Sequence, residues 1–135
     1  MKLPLHFQNK HDFSVSIDSL NQHMVKGRFC INDARGEINY EFSGLAYPLN
    51  HDTYNFTFSL NWDNDASYTT FSAMLKLSSE STNNRLDLNW LKVDKENKLT
   101  IQGSTHLCDL NADTVDIKMD DDVPYPVTAT AEVYV

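Results

Sequence analysis

The chain has 135 residues, a formal net charge of −8, 41% hydrophobic residues and two cysteines. That length is one domain with enough side chains to bury a core without metal or disulfide staples, and the acidic balance argues against nonspecific nucleic-acid binding and against anionic membrane surfaces, both of which need a basic face. No apolar run is long enough to span a bilayer as a helix, and Met1–Lys10 has no apolar core of a secretory signal, so the expected compartment is the cytoplasm.

Taken in chain order, Pro4–Ile17 reads as two short strands that meet near Lys10–His11. In Gln22–Ile31 the residues Val25, Gly27, Phe29 and Ile31 share one face, and in Gly36–Ala46 the shared face carries Ile38, Tyr40, Phe42 and Gly44. Thr53–Trp62 is the clearest case. Tyr54, Phe56, Phe58, Leu60 and Trp62 alternate with Thr53, Asn55, Thr57, Ser59 and Asn61, the side-chain period of a strand with one dry and one wet face. Ser67–Leu77 places Ser67, Thr69, Phe71, Ala73, Leu75 and Leu77 on one side. Asn84–Val93 turns Leu86, Leu88 and Trp90 inward, and Lys98–Leu107 does the same with Leu99, Ile101, Gly103, Thr105 and Leu107.

The connections are short and rich in turn formers, as in Asn32–Gly36 and Asp94–Lys98. Asp18–Met24 and Leu110–Asp116 are too short and too weakly periodic for helices. Short antiparallel strands with short loops make a meander, and a meander of about eight strands loses its exposed edges by closing on itself. The expected fold is therefore all-β, an eight-stranded antiparallel up-and-down barrel over residues 1–108. An acidic loop follows over 109–122, and an additional C-terminal strand over 123–135. Pro124 and Pro126 lack N–H donors, so the beginning of that last strand belongs at an edge or unpaired.

Several landmarks, in this order and spacing, resemble the avidin and streptavidin family over roughly the first 107 residues. They are Phe7-Gln8-Asn9, Gly27-Arg28-Phe29, Gly44 after an alternating strand, Phe58-Ser59-Leu60-Asn61-Trp62, Ser67-x-Thr69-x-Phe71, Trp90-Leu91 and Gly103. The resemblance implies a barrel that binds biotin at one end, in a homo-oligomer. It implies that Trp62, Phe71 and Trp90 wall the ligand and that Ser67 and Thr69 offer it hydroxyls. Asn9 would then point at the ureido oxygen, and Thr105 would stand where the family accepts a ureido N–H. The sequence departs from that pattern at several points. Phe29 lacks the hydroxyl of the family's Tyr, Ile31 replaces a small polar residue, and the family's inter-subunit Trp is missing near Asn97. Each unmatched buried polar atom costs roughly 1–3 kcal/mol, so very tight biotin binding is not expected. Either the ligand is less polar, or Phe13, Phe29 and Ile31 fill the space as core.

The other chemistry-bearing residues form no recognisable constellation. His6, His11, His23, His51 and His106 lack metal-ligand spacing, and the acidic stretch lacks calcium-loop spacing. No nucleophile–base arrangement or phosphate loop is present, so neither catalysis nor a cofactor is expected. Cys30 and Cys108 read as reduced thiols, with a disulfide open only if they are neighbours in an oxidising compartment. Besides a small-molecule-binding barrel, two readings stand. One is an acidic interaction module, of the inhibitor or immunity type, with a filled core and a basic protein partner. The other is an assembly subunit that adds Val123–Val135 as a strand to a neighbour.

Overall fold

The alternation of residue types becomes an alternation of burial in the computed structural model, which describes residues 2–8, 13–33, 36–62, 67–79, 83–109 and 123–125. The strands are β1 (Leu5–Gln8), β2 (Phe13–Leu20), β3 (Met24–Asp33), β4 (Gly36–Pro48), β5 (Thr53–Asn61), β6 (Ser67–Lys76), β7 (Arg85–Asp94) and β8 (Leu99–Asp109). Each pairs antiparallel with its chain neighbour, and β1 closes on β8 through Phe7↔Asp109 and Gln8↔Cys108. The result is a closed eight-stranded up-and-down barrel, with no helix among the described residues. Strands β3 to β8 begin and end within two residues of the alternating runs in the sequence.

The parity explains the core. Strand β6 buries Ser67, Thr69, Phe71, Ala73 and Leu75 and exposes Ser72, Met74 and Lys76, while its partner β7 buries Leu86, Leu88 and Trp90. The rings meet in the middle. Phe13 stacks on Phe29 at 5.0 Å, Phe29 leans on Phe71 at 5.5 Å, Phe71 stacks on Phe58 at 4.5 Å and Phe58 on Phe42 at 3.9 Å. Each such pair contributes about 0.5–1.5 kcal/mol beyond the area it removes from water. These rings occupy the centre of the barrel as ordinary core.

Turns are held by the side chains the sequence places in them. Asn21 Oδ1 accepts from the amides of His23 (2.8 Å) and Met24 (2.9 Å). Asp94 Oδ1 accepts from Glu96 (3.1 Å) and Asn97 (3.2 Å). Short polar side chains that fold back on their own backbone make such turns locally cheap. The connections after β1, β3, β5 and β7 gather at one end, here the mouth. Those after β2, β4 and β6 gather at the other.

The wall is uneven in one place. Strands β4 and β5 pair only over Leu45–Pro48 and Tyr54–Thr57. Toward the mouth they diverge, although β4 stays paired with β3, and β5 with β6. The fork is at Gly44, where a Cβ would stand 1.7 Å from the Thr57 carbonyl oxygen, so any larger residue would force the two backbones apart. Beyond the fork, stacked rings rather than a ladder connect the strands: Phe42 on Phe58, and Tyr40 edge-on to Trp62 at 5.1 Å.

Asp109, expected to open the acidic loop, belongs to β8 instead. It is the last residue of that strand, buried, and its carboxylate accepts from Asn84 Nδ2 at 3.3 Å. Residues 110–122 lie outside the described residues, as does the body of the expected C-terminal strand, 126–135. Its first three residues, Val123–Tyr125, form a bend instead of a ladder, in keeping with Pro124, which has no N–H to donate.

Candidate functional site

The mouth is built from the ends of β5, β6 and β7. The amide of Trp62 donates to the Ser67 carbonyl at 3.1 Å, which closes the β5–β6 hairpin and turns the indole inward. That indole is only 3% exposed, and its N–H donates to Thr69 Oγ1 at 2.9 Å. Thr69 is fully buried because its parity on β6 points it into the barrel. Its hydroxyl donates in turn to the Pro124 carbonyl at 2.6 Å. One donor hydrogen and an accepting lone pair are thus both committed.

Lys92 stands opposite Thr69 on β7 and shares the inward parity of Leu86, Leu88 and Trp90. Its ammonium donates to the Val123 carbonyl at 3.1 Å and lies 5.9 Å from the centroid of the Trp90 ring. Tyr125 completes the contact by meeting Phe13 edge-on at 6.0 Å. Val123–Tyr125 therefore sits in the mouth, with Pro124 fully buried and two consecutive carbonyls held by a hydroxyl and an ammonium. The chain has left β8 at the opposite end, where the Asp109 amide donates to Asn84 O at 3.3 Å.

Of the residues singled out in the sequence, Trp62, Ser67 and Thr69 come together at the mouth. Ser67 is buried opposite Asp94 at the rim. Phe71 and Trp90 face each other one layer deeper. Thr105 is buried opposite Leu88, two positions further down β7 than Trp90, so the Phe71–Trp90 layer separates it from the mouth. Asn9 lies outside the described residues. Trp90 Nε1 is a fully buried donor with no acceptor among the described residues, and native structures rarely leave such a group without a partner of some kind. Lys92 has the parity of Trp90 in the sequence, but a charged residue beyond the apolar run Leu86, Leu88 and Trp90 gives no inward signal by itself. The carbonyls of Val123 and Pro124 left no signal in the sequence.

Elsewhere, Cys30 and Cys108 are both free thiols. Cys30 donates to Asn39 Oδ1, and burial pushes its pKa up, away from a reactive thiolate. On the outer wall, the Asp87 carboxylate accepts from Arg85 Nε at 2.8 Å and pairs with His106 Nδ1 at 2.5 Å. Partial burial pushes the Asp87 pKa up, but the hydrogen bonds from Arg85 and His106 outweigh it and leave it below the usual carboxylate value.

Comparison with protein-family profiles, with curated proteins and with solved structures returns no match for this chain. The resemblance to the avidin family accordingly rests on the residues quoted from the sequence.

Proposed function

We propose that the protein is a small-molecule-binding barrel whose site is the mouth at Trp62, Thr69 and Lys92. Its ligand carries a carbonyl or carboxylate oxygen on an apolar body. What supports this reading is the way the mouth treats Val123–Pro124. It offers a hydroxyl and an ammonium to two oxygens, and the Phe13 ring to the aromatic side chain that follows them. A ligand of that chemistry displaces the segment and takes over the same donors. Biotin meets the description in its carboxylate and tail. Its ureido group does not, since Phe29 lies stacked between Phe13 and Phe71 where a hydroxyl would be needed. A less polar ligand is the better match.

The test is a titration of the full chain with octanoate, biotin and a neutral alcohol of the same length, followed by Trp fluorescence and by amide shifts of Thr69, Lys92 and Tyr125. Octanoate is expected to move all three shifts and the alcohol to move them weakly. Shifts confined to other residues, or none with any compound, would refute the reading.

A second reading, self-association, has one observation of its own. A depression of about 720 Å³ on the outer wall, crossing β4 to β8 between Ser43, Leu45, Thr57, Ser72, Asn89 and Gln102, has no charged residue in its lining. On a chain of net charge −8, this is where two copies meet with the least repulsion. Light scattering tests it: a Leu45→Glu variant should be monomeric at concentrations where the parent is dimeric.

A further inference from the structure

The divergence of β4 from β5 leaves two strand edges facing each other across the wall. On one side is the nine-residue run Gly36–Gly44, laddered only to β3; on the other is Phe58–Asn61, laddered only to β6. Outside the stacked rings that bridge them lies a groove of about 670 Å³, lined by Arg28, Asn39, Glu41, Ser59, Leu60 and Asn61 as well as Tyr40. Edges of this kind are templates for a further strand, and proteins normally cover them.

We infer that this groove is an acceptor for an added β-strand, and that its occupant is residues 127–135 of the same chain. Three observations point to that segment. The first is position. Tyr125 is seated at the mouth, and the Pro124 carbonyl is one hydroxyl removed from the Trp62 indole, which packs from inside against Tyr40 of the groove lining. The second is length. Val127–Val135 runs nine residues without proline, as many as the unpaired run of β4. The third is side-chain size. Val127, Ala129, Ala131, Val133 and Val135 alternate with Thr128, Thr130, Glu132 and Tyr134. The face turned toward the barrel must be small, because the Phe42–Phe58 and Tyr40–Trp62 pairs already fill the space behind the groove. A strand entering from the mouth runs antiparallel to β5 and parallel to β4, since β5 ends and β4 begins at that end. This inference does not depend on the mouth binding a ligand.

The experiment is amide exchange and cross-strand NOE measurement on the full-length chain and on Ala131→Pro, which removes one ladder donor from the segment. In the parent, NOEs between 127–135 and Phe58–Asn61 are expected. Amides along Gly36–Gly44 and Phe58–Asn61 should exchange at least ~10-fold more slowly than in Ala131→Pro, while the β6–β7 amides keep their rates and report an intact barrel. Equal rates in the two chains, or no such NOEs in the parent, would overturn the inference. So would NOEs that run between differently labelled copies in a mixed sample, because the occupant would then come from a second molecule.

Discussion

Replacing Thr69 with Val keeps the shape of the side chain and removes the hydroxyl that joins the Trp62 indole to the segment in the mouth. Two buried polar atoms lose their partner, the Trp62 indole N–H and the Pro124 carbonyl. Each such loss costs roughly 1–3 kcal/mol. The indole, 3% exposed, cannot reach water without moving the whole ring, so its share falls in the upper part of that range. The Pro124 carbonyl lies outside the strand ladders and loses a single acceptor contact, so its share falls in the lower part. The sum is about 3–4 kcal/mol, which for a domain of this size lowers Tm by roughly 10–15 °C. Thr69→Ser keeps the hydroxyl and loses one methyl, at a cost of about 1 kcal/mol. The assay is urea unfolding of the three chains by Trp fluorescence, with the indole N–H resonance of Trp62 as local readout. A Val variant within about 0.5 kcal/mol of the parent, or a Ser variant as damaged as the Val one, would refute the reasoning that the hydroxyl is a committed hub.

Other sites carry separate expectations. Gly103→Ala puts a methyl 2.0 Å from Trp90 Cζ2, so the packed indole must shift. A loss of about 1–3 kcal/mol in unfolding free energy is expected, together with a changed Trp emission spectrum. Phe42→Ala deletes the ring stacked on Phe58 where no ladder joins β4 to β5, and calorimetry should register about 3–5 kcal/mol lost. Asp87→Asn removes a carboxylate whose pKa is lowered in the fold, so its stabilisation is complete above the unfolded-state pKa and fades as pH falls through the lower folded value. The parent's advantage over Asp87→Asn should therefore be constant near neutrality and vanish in acid. It stays below about 1 kcal/mol because the pair faces solvent, and an advantage that grew in acid would contradict the sign.

The local pattern is legible along single strands. A period of two over Thr53–Trp62 and Ser67–Leu77 fixes which side chains face inward, and Asn21 and Asp94 mark turns through contacts a few residues long. Burial on one face of every strand then leaves closure as the way to shelter both edges, and the barrel follows. Trp62, Ser67 and Thr69 were legible as a group because two neighbouring strands carry them. The depth of Thr105 and the role of Lys92 depend on register across three strands, which parity along one strand does not specify. The occupant of the mouth was decided only in the folded chain. Thr69 meets Pro124 across 55 positions, and nothing near either residue encodes that bond. The parting of β4 from β5 is of the same kind, since the end of their ladder at Leu45 and Thr57, with Phe42 and Phe58 stacked beyond it, shows only in how the two strands meet. Hydrophobic alternation is written along the chain. Polar satisfaction and strand spacing are settled between distant parts of it, once volume and hydrogen-bond geometry have to be met together.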